Sequence, residues 1–175
     1  MVPTIFIDVD QTLVHSDEEI SLSGGVQLAY TGESGTFFTI EREGVAELLD
    51  YARSVAPVRL LSAGIMSYVR SLNSHFGWNF KDEDILGRER WMDAEREPLR
   101  EGICPNAILI DNEAPWEANL TKKLRYLGIA AERCFKVEDF WVHLPSPIGV
   151  PMLKEFLLPL LRSPQSSGFA PRRLD

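Results

Sequence analysis

Apolar residues along this chain follow two different periods. Residues 4–9, 58–61, 107–110 and 134–137 are short apolar runs bounded by polar or turn-forming residues, the pattern of strands buried in a sheet. Between them the spacing lengthens to three and four. Val45, Leu48, Leu49 and Ala52 predict a helix over 44–53, and Ile65, Tyr68, Val69, Leu72 and Phe76 predict another. Trp116, Leu120, Leu124 and Leu127 line a helix closed by Gly128, and Leu153, Phe156, Leu157, Leu160 and Leu161 line a last one. The turn signals Ser23-Gly24-Gly25 and Gly32-Glu33-Ser34-Gly35 set off 26–30 and 36–40 as strands of a small antiparallel flap. Residues 77–97 read as polar and irregular, and Pro98 opens a short helix ending near Gly102. After Arg162 the composition shifts to Ser, Pro, Gly and Arg. A single domain over 1–162, with the flap inserted at 20–40, is expected to precede a loose tail over 163–175. Strands alternating with helices imply a three-layer, Rossmann-like α/β/α fold around a mostly parallel sheet.

Three of the expected strands end in residues that bear chemistry: Asp8 and Asp10, then Ser62, then Asp111 and Asn112. Open α/β sheets bind ligands at the carboxyl ends of their strands. Asp8 and Asp10 are two residues apart where the chain leaves a strand and turns, so their carboxylates can converge. Two converging negative charges call for a shared proton or a cation, which points to a divalent metal. A turn or helix-cap cluster is the plainer reading of that pair alone.

Composition narrows the field. The chain has 175 residues, enough for one domain, and its 45% hydrophobic and 25% charged content is that of a soluble globular protein. The net charge of −8 weighs against a non-specific grip on nucleic acid but leaves a local basic pocket open. The amino terminus lacks a basic segment followed by an apolar core, and no apolar run reaches 18 residues, so neither secretion nor membrane spanning is expected. Cys104 and Cys134 lack metal-ligand and redox-pair spacing and are read as reduced thiols of a cytoplasmic protein, or a nuclear one in a eukaryote.

The string Asp8-Val9-Asp10-Gln11-Thr12-Leu13-Val14-His15-Ser16 resembles the nucleophile motif Asp-x-Asp-x-Thr of the haloacid dehalogenase (HAD) superfamily of phosphotransferases. It looks most like the branch of the RNA polymerase II carboxy-terminal-domain phosphatases, the NLI-interacting-factor-like proteins. That branch reads Asp-Leu-Asp-Glu-Thr-Leu-Val-His-Ser; seven of nine positions agree, and the departures are Val9 and Gln11. Ser62-Ala63-Gly64 stands where the branch often has Thr-Ala-Ser. Asp111-Asn112-Glu113-Ala114-Pro115 resembles its Asp-Asn-Ser-Pro with one residue inserted, and Glu43 replaces a proline ahead of the first helix.

The resemblance implies roles. Asp8 becomes the nucleophile that forms an aspartyl phosphate, and Asp10 the acid that protonates the leaving oxygen and later takes a proton from water. Thr12, Ser62 and Ala63 fall in the phosphate-binding set, with Thr12 steadying the loop or bonding the Asp10 carboxylate; a helix cap is the other reading of Ser62. Asp8, the Asp10 carbonyl, Asp111 and Asn112 are the metal set for Mg²⁺, with Glu113 as an extra candidate and a surface turn as the plainer reading of Asp111–Asn112. His15 is structural. His75 and His143 carry no partner signal, and Trp78, Trp91, Trp116 and Trp141 read as core and rim.

The family's phosphate-neutralising lysine is expected before the third motif-bearing strand, but no lysine occurs between residue 82 and Asp111. Arg88, Arg90, Arg96 and Arg100 do. Arg96-Glu97-Pro98-Leu99-Arg100-Glu101-Gly102 resembles the branch's Lys-Asp-Leu-x-Arg-x-Gly, so Arg96 is assigned to catalysis and phosphate binding, with Arg88 second. The expected protein is thus a Mg²⁺-dependent phosphatase with no large cap. An open site favours a macromolecular substrate such as phosphoserine or phosphothreonine in protein. Nucleic-acid ends, small phosphometabolites and a catalytically inactive binding module are the competing readings, and the sequence carries no signal for oligomeric state.

Overall fold

In chain order the strands are β1 (Ile5–Ile7), β2 (Val14–Asp17), β3 (Leu28–Gly32), β4 (Gly35–Glu41), β5 (Val58–Leu61), β6 (Ile85–Leu86), β7 (Ile108–Asp111) and β8 (Cys134–Lys136). The helices are α1 (Val45–Val55), α2 (Met66–His75), α3 (Arg88–Trp91), α4 (Ala118–Leu127) and α5 (Val150–Arg162). The computed structural model describes residues 3–18, 28–32, 35–92, 103–114, 116–138 and 150–162. The expected short helix at Pro98, Trp141, His143 and the tail over 163–175 lie outside the described residues.

The central sheet has five strands in the order β6-β5-β1-β7-β8, all parallel. β1 therefore runs through the middle with a partner on each side: Ile5 pairs Val58 and Ile108, and Ile7 pairs Leu60 and Ile110. A strand buried on both faces sends alternate side chains into two cores. Ile5 and Ile7 join Leu48, Leu49, Ala52, Val69, Leu72, Leu153 and Leu157 from α1, α2 and α5. Phe6, Leu61 and Leu109 join Trp91 of α3 and Leu120, Tyr126 and Leu127 of α4. The expected three-layer α/β/α architecture with a parallel central sheet is borne out. The α4 helix ends as its glycine requires: Gly128 adopts a left-handed φ of 76° and donates to Leu124 and Arg125.

The sheet departs from the sequence pattern at its edge. Part of the stretch read as irregular, residues 77–97, builds β6 and α3. β6 is only Ile85 and Leu86, too short to show a period; it exists because both pair with Leu60 and Leu61 of β5. Arg90 secures the turn before it by donating to the Ile85 carbonyl and the Asp82 carboxylate. The flap also gains a strand. Beside the expected β3 and β4, β2 forms directly after the Asp8–Asp10 loop and pairs antiparallel with β4, His15 opposite Ile40. Trp116 is no part of a helix stripe: it precedes α4 and is 84% exposed. Among the described residues no helix is long and apolar enough to cross a membrane.

Candidate active site

Three neighbouring strands of the central sheet, β5, β1 and β7, end on the same side. The Asp8 N–H continues the ladder by donating to the Ile110 carbonyl at 2.9 Å. The chain then folds back on itself: Val9 O accepts from Leu13 N at 2.8 Å and Val14 N at 3.1 Å, while Gln11 adopts a left-handed φ of 62°. A non-glycine residue in that region is uncommon and marks a turn held by its surroundings. Here Gln11 Nε2 contacts His15 Nδ1 at 2.8 Å, and Val9 and Leu13 are fully buried beneath the loop. The turn brings the Asp10 carboxylate to the end of the sheet where Asp8 already stands.

Asp8 is 4% exposed and both its oxygens are engaged. Oδ2 accepts from the Thr12 hydroxyl at 3.3 Å, and the same hydroxyl lies 3.1 Å from Asn112 Oδ1. Thr12 thus links the loops after β1 and β7, and bonds Asp8 rather than Asp10 as its resemblance suggested. Oδ1 accepts at 2.7 Å from Lys123 Nζ, which also donates at 2.7 Å to Asp111 Oδ2. Asp111 is fully buried, and its second oxygen accepts the Glu113 N–H at 2.9 Å.

Lys123 is the residue that sequence reasoning missed. The family pattern places the cation before Asp111, whereas this lysine follows it, on α4. Its stem lies on the buried face of the helix, three residues after Leu120 and four before Leu127, and only 2% of it is exposed. A lysine on the apolar stripe of an amphipathic helix was the available signal. Burial pulls its ammonium pKa down, but the two carboxylates outweigh that and the net shift is upward, so it stays charged. Arg88 stands elsewhere, donating Nε to the Ala63 carbonyl at 2.8 Å on the rim of the site. Arg96, the residue assigned by resemblance, lies outside the described residues.

Ser62 is fully buried at the end of β5. Its hydroxyl donates to Asp10 Oδ2 at 3.4 Å and accepts the Gly64 N–H at 2.9 Å. It does not cap α2: the first N–H of that helix, on Met66, is taken by the Glu89 carboxylate at 2.8 Å. Asp10 Oδ1 accepts from the Tyr68 hydroxyl at 2.8 Å. Beside this pair opens a cleft of about 300 Å³ lined by Asp10, Ser16, Phe37, Ile65, Tyr68 and Arg88, among others.

The donors suit a hard cation. Asp8, Asp10, Asp111 and Asn112 offer only oxygens, the ligands Mg²⁺ prefers. Two of the carboxylates, Asp8 and Asp111, share Lys123; burial pushes Asp8 up to about 8, against the pull of Lys123, and raises Asp10 as well. Glu113 Oε2 is buried without a hydrogen-bond partner among the described residues, while its Oε1 accepts from Asn119 Nδ2 at 3.1 Å. Among those residues no three Asp, Glu, His or Cys groups form a complete cage. Mg²⁺ does not require one, since it is held by one or two carboxylates, waters and substrate phosphate.

A parallel sheet with an acidic pair at the tip of its central strand, a hydroxyl on one neighbour and an Asp-Asn turn on the other defines a phosphatase core of the haloacid dehalogenase type. The family model of NLI interacting factor-like phosphatases matches residues 3–137, and the chain belongs to that family. The expected superfamily, branch and class of enzyme are thereby borne out. No curated protein matches the chain. Among solved structures, it is similar to a variant of the fission yeast RNA polymerase II CTD phosphatase Fcp1 bound to beryllium fluoride, with 14% identity and a TM-score of 0.56 over 91% of this chain and 50% of that one. A second structure of Fcp1, described as an essential RNA polymerase II CTD phosphatase, gives 16% identity and a TM-score of 0.53 over 91% of this chain and 48% of that one. At such identity the likeness is one of fold, and the chain spans about half the length of these structures.

Proposed function

We propose that this chain is a Mg²⁺-dependent phosphomonoesterase that works through an aspartyl phosphate on Asp8, with phosphoserine or phosphothreonine in protein as its substrate class. The observation that carries the reading is the Asp8 carboxylate, held by Lys123 within hydrogen-bond distance at the tip of the central strand, beside Asp10 and Ser62. Phosphate monoesters are among the slowest of biological hydrolyses, and a covalent intermediate divides the barrier into two lower ones. Asp8 attacks phosphorus, and Asp10 gives a proton to the leaving oxygen. Lys123 and the Ser62 hydroxyl bind phosphoryl oxygens, so charge developing there meets donors already in place. Asp10 then takes a proton from the water that attacks the aspartyl phosphate. Bound Mg²⁺, held by Asp8, the Asp10 carbonyl and Asn112 with Asp111 behind them, would supply positive charge to the phosphoryl group. Asp111 is better placed to hold Lys123, since both its oxygens are already engaged.

Substrate class rests on two supports. Among the described residues the flap is the only structure between β1 and α1, and the cleft beside Asp10 is open. The similar solved structures are described as phosphatases of an RNA polymerase II domain, a protein substrate. Purified protein is expected to hydrolyse p-nitrophenyl phosphate with Mg²⁺ and not with EDTA. In a panel of phosphopeptides, 5′-phosphorylated oligonucleotides and sugar phosphates it is expected to favour the peptides. Absence of Mg²⁺-dependent hydrolysis would return the chain to a binding role, and preference for sugar phosphates would overturn the substrate class.

The raised Asp8 pKa carries a pH prediction. An unfolded aspartate ionises near pH ~4, whereas Asp8 holds its proton to about 8. Between those values the folded state binds more protons than the unfolded one. Stability from this group is therefore greatest below pH ~4 and is lost as pH rises toward 8. Coordination by Asp8 displaces that proton, so the rise in melting temperature on adding Mg²⁺ should grow between pH ~6 and ~8. A rise that is the same at both ends would argue against Asp8 as a ligand.

A further inference from the structure

The Tyr68 hydroxyl, which donates to Asp10 Oδ1, also lies 2.5 Å from Ser16 Oγ, and Ser16 Oγ lies 2.7 Å from Thr39 Oγ1. These are three hydroxyls in a row, and each carries a single hydrogen. The Asp10 end sets their direction. With the Tyr68 hydrogen committed to the carboxylate, the hydroxyls of Ser16 and Thr39 are left to donate toward the Tyr68 oxygen. The chain thus runs from β4 and β2 of the flap, through α2, to Asp10. The other carboxylate oxygen, Oδ2, accepts the long contact of 3.4 Å from Ser62.

We propose that Tyr68 is a positioning residue for Asp10: by occupying Oδ1 as a donor, it leaves Oδ2 as the oxygen that carries and delivers the catalytic proton. This inference rests on the function proposed above. As an Asp8 oxygen bonds to phosphorus, the ester P–O bond breaks and its electron pair passes to the leaving oxygen. That oxygen takes the proton from Asp10 Oδ2, and Asp10 remains a carboxylate anchored at Oδ1. In the second half a water oxygen bonds to phosphorus and its proton goes to Oδ2. The bond from phosphorus to Asp8 breaks, releasing phosphate and restoring the Asp8 carboxylate. Without a fixed donor on Oδ1 the proton could reside on either oxygen, and only one faces the leaving group in a given pose.

The packing around Tyr68 shows a ring brought to this place. It is 7% exposed, meets Tyr30 edge-on at 5.4 Å between centroids, and lies 6.1 Å from Phe37. A Cβ at Gly64 would stand 2.9 Å from Tyr68 Cδ1 and 3.1 Å from Ser62 Oγ, so the glycine allows the ring to close toward Asp10. Phenylalanine would fill the same space, which makes the hydroxyl separable from the packing.

The test uses two substrates that differ in their need for an acid. The p-nitrophenolate group leaves with little protonation, whereas phenolate depends on it. For Tyr68→Phe, kcat/KM is expected to fall roughly tenfold more on phenyl phosphate than on p-nitrophenyl phosphate, since general acids contribute ~10²-fold or more where protonation is needed. Ser16→Ala, which withdraws the donor behind Tyr68, should shift the ratio in the same direction by less. Equal losses on both substrates in a Tyr68→Phe protein that melts like wild type would overturn the assignment. If that variant fails to fold, an unchanged ratio in Ser16→Ala overturns it. Wild type that hydrolyses neither substrate with Mg²⁺ sinks the parent function and this role with it. Active wild type, an inactive Asp8→Asn and an unmoved ratio in both variants would remove Tyr68 alone.

Discussion

Lys123→Met is expected to lower kcat by about 10²–10³-fold, the scale on which a preorganised donor acts on developing charge. It should also destabilise the fold by about 3–5 kcal/mol, because it strands Asp8 and Asp111, two buried carboxylates that shared one ammonium. For a chain of this length that corresponds to a fall on the order of 10 °C in melting temperature. Methionine keeps the length and most of the volume of the lysine stem, so the loss reports the charge and not a cavity. The companion variant is Arg96→Ala. Turnover that collapses in Lys123→Met and survives in Arg96→Ala assigns the phosphate-facing cation to α4. The reverse result returns it to the segment before β7, where the family pattern had placed it. Lys123→Arg is expected to recover little, since a guanidinium is wider than the slot between two carboxylates each 2.7 Å from Nζ.

Asp8→Asn should abolish turnover, by about 10⁴-fold or more, because an amide cannot form the covalent intermediate. Its effect on stability should run opposite to that of Lys123→Met. Burial raises the Asp8 pKa despite Lys123, so the charged carboxylate is costly where it sits, and Asp111 alone still pairs the ammonium. A melting temperature equal to or above that of wild type is expected. Fluoroberyllate with Mg²⁺, which mimics an aspartyl phosphate, should raise the melting temperature of wild type and leave Asp8→Asn unmoved. An equal shift in both proteins would mean that the anion binds without bonding to Asp8. Loss of activity and stability together in one variant, and of activity alone in the other, would separate the cation from the nucleophile.

The sequence by itself determined the layers. Ile5–Ile7, Val58–Leu61 and Ile108–Asp111 were legible as buried strands, and Leu48, Leu72, Leu120 and Leu157 as the inward sides of helices, because burial imposes its period on consecutive residues. It also located the strand ends that bear Asp8, Ser62 and Asp111, since these follow directly from where the apolar runs stop. The residues it missed answer to partners far along the chain. Ile85 and Leu86 become a strand only because Leu60 and Leu61 offer an open edge. Tyr68 fits the apolar spacing of α2, yet its hydroxyl bonds Asp10, 58 residues away. Lys123 broke the stripe of α4, but the reason stands 115 residues earlier, in Asp8. Periodicity is a property of neighbours, whereas an ion pair between buried groups is defined by which side chains the folded backbone aims at one point; that choice belonged to the tertiary structure.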